Sequence, residues 1–175
     1  MVYVFLAEGF EETEAIVPID MLRRSLADVK TVGVGGKNIK GAHDITVTAD
    51  IEENDINDSA EMIVLPGGPG HKNLEKSKAV QKAIDRAVKS GALIGAICAS
   101  PSILGHMGLL KGKKAVCYPG YENELFGAEA ARSQVCEDGN IITANGPGAS
   151  FAFGLKLAER LGKNADKVKS GMIIL

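Results

Sequence analysis

The sequence has no tryptophan, and aromatic residues of all kinds make up only 5% of its 175 positions. Stacking platforms for single-stranded nucleic acid are therefore not expected. Basic runs are missing too. The 20 Lys and Arg residues are mixed with 22 Asp and Glu, for a net charge of −2. Electrostatic binding to a phosphate backbone has no support in that pattern. Long apolar runs are also absent. Residues 1–7 are apolar, but no basic region precedes them, and they are too few for a signal peptide or a membrane span. No other stretch approaches the ~18 apolar residues a spanning helix needs. The expectation is a cytoplasmic protein with no membrane partner. Cysteine is scarce: Cys98, Cys117 and Cys136 are odd in number and widely spaced, with no CxxC. That excludes a disulfide framework and a structural zinc site as leading readings.

What is present is ordinary soluble material, 45% hydrophobic and 24% charged, of a length that suits one domain over residues 1–175. Strand-like and helix-like segments alternate. Val2 to Leu6 reads as a buried strand, and Thr13 to Leu26 as a helix with Ala15, Ile16, Ile19, Leu22 and Leu26 at helical spacing. Strands are expected at 31–34, 45–48, 62–65, 93–97 and 114–117. Ser77 to Ser90 reads as an amphipathic helix with Val80, Ile84 and Val88 on one face, closed by Gly91. Pro101 to Met107 reads as a further helix. Val135 to Ala144 reads as a hairpin around Asp138-Gly139. Ser150 to Leu161 reads as a helix with Phe151, Leu155 and Leu157 or Ala158 inward, and Met172 to Leu175 as a last strand. This alternation predicts an α/β fold, a mostly parallel sheet with helices on both faces.

In such a sheet, ligands bind beyond the carboxyl ends of the strands. Three unusual sequences fall there: residues 8–14, residues 66–70, and Cys98. In Ala96-Ile97-Cys98-Ala99-Ser100-Pro101 an apolar strand runs into a cysteine with small neighbours, and Pro101 suits the first turn of a helix. That is the layout of a nucleophile elbow. The helix N-terminus would favour a thiolate at Cys98, with a pKa drawn below ~8.5 towards ~3.5–7.5. A buried, inert cysteine is the plainer alternative. Glu8, Glu11, Glu12 and Glu14 follow the first strand. Charge at a helix N-terminus accounts for three of them. One carboxyl facing Cys98 would serve as general acid and base if burial raised its pKa; the spacing alone does not say which. Pro66-Gly67-Gly68-Pro69-Gly70 lacks the ending of a phosphate-binding P-loop, and an amide there, with that of Ala99, would suit an oxyanion. His106 lies eight residues past Cys98 on the same expected helix, ~12 Å along the axis and too far to be its base. His43 and His71 read as solvated loop residues. Tyr118 follows an expected strand and could reach the same pocket as a substrate-binding residue, a packed aromatic at a strand end being the plainer alternative.

Four segments together, 6–14, 64–68, 96–101 and 143–151, resemble the ThiJ/PfpI superfamily, in its DJ-one branch with bacterial relatives. The resemblance covers essentially the whole chain and implies a flavodoxin-like three-layer sandwich and a homodimer. It implies Cys98 as nucleophile and Glu14 as the pocket carboxyl. Gly68 and Ala99 fall at the backbone amides of the anion site, with Gly67 beside them, and Arg24 falls near the dimer interface. Tyr118 stands where many relatives have histidine, and Ser100 where glycine is usual. Ala99 occupies the place of the histidine that follows the cysteine in the peptidase branch, so peptidase activity is disfavoured. The implied activity is that of a glyoxalase or deglycase on a small dicarbonyl substrate, needing no metal or organic cofactor. The alternative is a cysteine-based oxidative-stress sensor or redox-regulated chaperone.

Overall fold

The computed structural model describes residues 1–56 and 60–174. The elements run in chain order β1 (Val2–Ala7), α1 (Glu12–Arg24), β2 (Val29–Val34), β3 (Asn38–Lys40), β4 (Thr46–Thr48), β5 (Ile51–Glu52) and β6 (Met62–Leu65). They continue with α2 (His71–Lys76), α3 (Lys78–Ser90), β7 (Leu93–Ile97), α4 (Pro101–His106), β8 (Lys114–Ala115) and β9 (Glu129–Ala130). The hairpin β10 (Val135–Asp138) and β11 (Ile141–Ala144) follows, then α5 (Ser150–Arg160) and α6 (Ala165–Gly171).

Strand β1 shows how the layers arise. Successive side chains point to opposite faces. Val2, Val4 and Leu6 pack with Ala15, Ile19 and Leu22 of α1 and with Phe153 and Leu157 of α5. Tyr3, Phe5 and Ala7 pack with Leu74 of α2, Val80 and Ile84 of α3, and Leu104 of α4. Both faces are covered, so the strand is apolar throughout. The main sheet has seven strands in the order β10-β11-β7-β6-β1-β2-β5. All neighbours are parallel except β10, which runs antiparallel to β11. This is the flavodoxin-like sandwich that the sequence led us to expect. It sets the carboxyl ends of β1, β6 and β7 side by side.

Local chemistry explains the boundaries. Ser77 caps α3 by accepting from Val80 N–H, and Gly91 ends it at φ +73, where glycine is favoured. Gly139 turns the β10–β11 hairpin at φ +64. Several expectations need correction. Residues 172–174 form no strand, because α6 runs up to Gly171; Leu175 lies outside the described residues. Helix α6 has a single buried residue, Val168, so no periodicity marked it. The expected strand 114–117 shortens to two residues paired with β9, and strand β4 pairs with β3 in a ribbon of its own. Ile16, Leu26, Val88 and Phe151, expected inward, are exposed, while Phe153 is fully buried. The α5 register is set by α1: Gly154 lets the two helices approach, and a Cβ there would stand 2.6 Å from Met21 Sδ and 3.3 Å from Met21 Cβ. Gly154→Val is therefore expected to destabilise the protein by about 1–3 kcal/mol through overpacking. A melting temperature at or above wild type would show that Met21 swings clear.

Candidate active site

Cys98 follows β7 directly, on a three-residue turn before α4. Its φ is +66, a sparsely populated conformation for a residue with a side chain. The surroundings hold it there. Its N–H donates to the Ala144 carbonyl at 2.9 Å, and its carbonyl accepts from Tyr118 N–H at 2.7 Å. Ser100, two residues on, is fully buried and donates its hydroxyl to the Pro66 carbonyl at 2.5 Å. The serine that departs from the usual glycine thus ties the cysteine turn to the 66–70 loop.

Glu14 sits in the first turn of α1 and is fully buried. Its Oε2 accepts from Gly67 N–H at 2.9 Å, and Oε1 has no hydrogen-bond partner of good geometry among the described residues. The Cys98 thiol is the group with which this carboxyl shares a hydrogen-bonding interaction. Gly67 borders both groups, and only a residue without a side chain fits there: a Cβ would stand 2.5 Å from Cys98 Cβ and 2.7 Å from Glu14 Oε2. The other glutamates have separate tasks. Glu11 caps α1 by accepting from Glu14 N–H at 2.7 Å. Glu12 braces the 41–45 loop by accepting from His43 N–H at 2.7 Å and meeting its Nδ1 at 2.8 Å. Glu8 is exposed.

Burial pushes the Glu14 carboxyl up to about 7, helped by the charge of Glu11 and opposed by its hydrogen bonds to Cys98 and Gly67. The thiol of Cys98 is pushed up to about 12, first by burial and then by the carboxylate charge of Glu14. The N–H groups of Gly68 and Ala99 pull it down again, but less. The low thiol pKa expected from the sequence is thus not met while Glu14 is ionised. Helix α4 has only six residues, and its dipole is outweighed by desolvation and a neighbouring charge. A proton on Glu14 removes that charge and gives the sulfur a donor. Above neutral pH the charge of the pair lies on the Glu14 carboxylate; a thiolate at Cys98 requires the proton to pass to Glu14, and the amides of Gly68 and Ala99 lower the cost of that transfer.

Tyr118 is 47% exposed, and its ring lies against the backbone of Gly146. His71, expected to be solvated, is 5% exposed and starts a helix, α2, that the sequence reading placed as loop. The short spacing after Pro69-Gly70 hid that helix. His106 lies outside the site, between Glu75 at 2.5 Å and Glu124 at 2.8 Å, which hold its pKa up. Arg24 pairs with Asp20 at 2.7 Å on the α1 surface. Among the described residues, Glu11, Glu12 and His43 are the one His/Cys/Asp/Glu group close enough to hold a cation. The bonds above already engage Glu11 Oε2, both Glu12 carboxylate oxygens and His43 Nδ1. Among these residues, no helix is long and apolar enough to cross a membrane.

The fold and this buried cysteine–carboxyl pair on a strand-to-helix turn define a flavodoxin-like α/β protein of the cysteine-elbow class. The chain belongs to the DJ-1/PfpI family, whose profile matches residues 1–160. It is 39% identical to protein DJ-1 homolog B of Arabidopsis thaliana over 180 residues, covering 99% of this chain and 41% of that protein. It therefore spans less than half the length of that relative. It is 32% identical to the glutathione-independent glyoxalase DJR-1.2 of Caenorhabditis elegans, over 88% of this chain and 84% of that one. The crystal structure of Drosophila melanogaster DJ-1beta superposes with a TM-score of 0.94 at 32% identity, covering 99% and 97% of the two chains.

Proposed function

We propose that the protein is an enzyme converting small reactive dicarbonyls, with methylglyoxal as the type, into hydroxy acids. The observation that carries this reading is Cys98 at φ +66 on its strand-to-helix turn, with the fully buried Glu14 carboxyl beside it at Gly67 and the backbone amides of Gly68 and Ala99 favouring charge on its sulfur. One family relative named as a glyoxalase and another named as a deglycase support it. The Cys98 thiolate attacks the aldehyde carbon, and the new oxyanion is held by the two amides. Protonated Glu14 supplies the proton that completes the hemithioacetal. As carboxylate it then removes the proton from that carbon, giving an enediol, and returns one to the neighbouring carbon. The result is a thioester. Water cleaves it, releasing lactate and restoring the thiol. The balance closes with water as the only co-reactant.

The site geometry suits a small substrate. Gly67 and Gly68 leave no room for side chains, and a Cβ on Gly68 would stand 2.6 Å from Glu11 N and 2.7 Å from the Gly9 carbonyl oxygen. The test is lactate release from methylglyoxal without glutathione. Wild type is expected to turn over, and Cys98→Ser to lose at least about a thousandfold, since the alcohol is not ionised at neutral pH. Folded, reduced wild type without turnover would sink the proposal and move attention to peroxide oxidation of Cys98.

A further inference from the structure

The amide donors beside Cys98 are themselves held from behind. Gly68 has φ +74, and its carbonyl accepts two hydrogen bonds from one residue. His71 N–H reaches it at 3.2 Å and His71 Nδ1 at 2.9 Å. A carbonyl only accepts, so Nδ1 must carry a proton. The ring is buried and stands edge-on to Tyr121, with centroids 5.5 Å apart at 84°. Tyr121 N–H donates to the Tyr118 carbonyl at 3.0 Å, and Tyr118 N–H to the Cys98 carbonyl at 2.7 Å. The donor and the sulfur it serves are thus joined by a closed circuit through Gly68, His71, Tyr121, Tyr118 and Cys98.

A plain helix-start role for His71 does not need the ring, because its backbone N–H already closes the turn. The ring does something else. The peptide after Gly68 leads into Pro69, which has no N–H. That Gly68–Pro69 plane has the carbonyl as its one strong hydrogen-bonding handle, and His71 Nδ1 is the side-chain donor on it. The Gly68 N–H lies in the preceding Gly67–Gly68 plane, whose carbonyl accepts from Glu11 N–H at 3.1 Å; the two planes meet at the Gly68 Cα, so His71 fixes the far side of the turn.

We propose that His71 is a positioning residue, holding the Gly68 carbonyl and thereby the left-handed turn at Gly68, so that the N–H on the other side of that residue stays aimed at the Cys98 sulfur and at the oxyanion formed there. The catalytic part rests on the dicarbonyl reading; the effect on the sulfur does not. His71 touches neither substrate nor sulfur. The charged groups acting on the sulfur are Glu14 directly and Glu11 through Glu14, and both stay in place in the variants below.

The first test uses wild-type protein. Two-bond proton–nitrogen NMR of the imidazoles is expected to show neutral His71 protonated on Nδ1. The Nε2-protonated tautomer would overturn the proposal, with no variant needed. The second compares His71→Leu with His71→Asn, whose amide can reach the same carbonyl, in a Cys117→Ser, Cys136→Ser background. Alkylation of Cys98 by iodoacetamide is followed against pH, and kcat and KM are measured with methylglyoxal. The leucine variant is expected to alkylate with its midpoint at higher pH. Its kcat should fall about ten- to a hundredfold with KM within about threefold, as for a weakened oxyanion donor. Asparagine should restore most of both. A folded leucine variant with the wild-type alkylation midpoint would overturn the proposal. Should wild type show no turnover, the alkylation and tautomer readings still decide the role of His71 separately.

Discussion

Glu14→Gln is expected to lose dicarbonyl turnover by about a hundred- to ten-thousandfold and, above neutral pH, to be more stable than wild type. The loss follows because glutamine cannot take a proton from carbon. It still presents an oxygen to Gly67 N–H, so the loop keeps its anchor. The gain follows from burial. Glu14 holds its proton up to about 7 in the folded protein, against an ordinary value of 4.5. Between those values the folded protein binds a proton that the unfolded chain has released. Wild-type stability therefore falls as pH rises through this window, and is level above it. At about 1.4 kcal/mol per pKa unit, the gap reaches at most about 3.5 kcal/mol. Glutamine carries no such cost. Urea unfolding should find the two proteins alike near about pH 4 and the variant ahead near about pH 8. A variant less stable at the higher pH would mean that the ionised carboxylate is net stabilising, and that burial does not dominate.

The second large effect is steric. In Gly67→Ala the new methyl would stand 2.5 Å from Cys98 Cβ, 2.7 Å from Glu14 Oε2 and 2.9 Å from the Ile97 carbonyl oxygen. Cβ and backbone atoms cannot swing aside as the end of a long side chain can. Either the 66–70 loop or the cysteine turn must move, and those two segments carry the amide donors and the sulfur. Turnover is expected to fall by at least about a hundredfold, the scale of a ~1 Å misplacement, with about 1–3 kcal/mol lost in stability. Gly171→Ala, where the added Cβ meets nothing within 4 Å, is the matched control and should keep full turnover. Turnover in Gly67→Ala near the wild-type level would show that sulfur and carboxyl need not lie so close, and would remove the basis for pairing them.

Much of this architecture was legible from residue order. The apolar run Val2–Leu6, the apolar run into Cys98, the turn at Asp138-Gly139 and the residues Ser77 and Gly91 that bound a helix are local signals, and local sterics and hydrogen bonding decide them. Motif resemblance, not spacing, singled out Glu14 among four glutamates. The structure then gave the others distinct tasks as cap, brace and exposed charge. Where the reading failed, the deciding contact came from far along the chain. Phe151 and Phe153 fit a helical face almost equally well; the approach of α5 to α1 through Gly154 chose Phe153. Helix α6 has too few apolar residues to announce itself.

The chemistry divides the same way. By itself the sequence determined that a cysteine sits on a tight turn at the end of a buried strand, because small neighbours and a proline are a nearest-neighbour requirement. Only the tertiary structure decided the ionisation of that cysteine and the place of His71. A pKa depends on what surrounds the group in space. Desolvation by packed layers and a carboxylate from another element outweighed the short helix following Cys98. His71 became buried because Tyr121, 50 positions away in the sequence, closes over it.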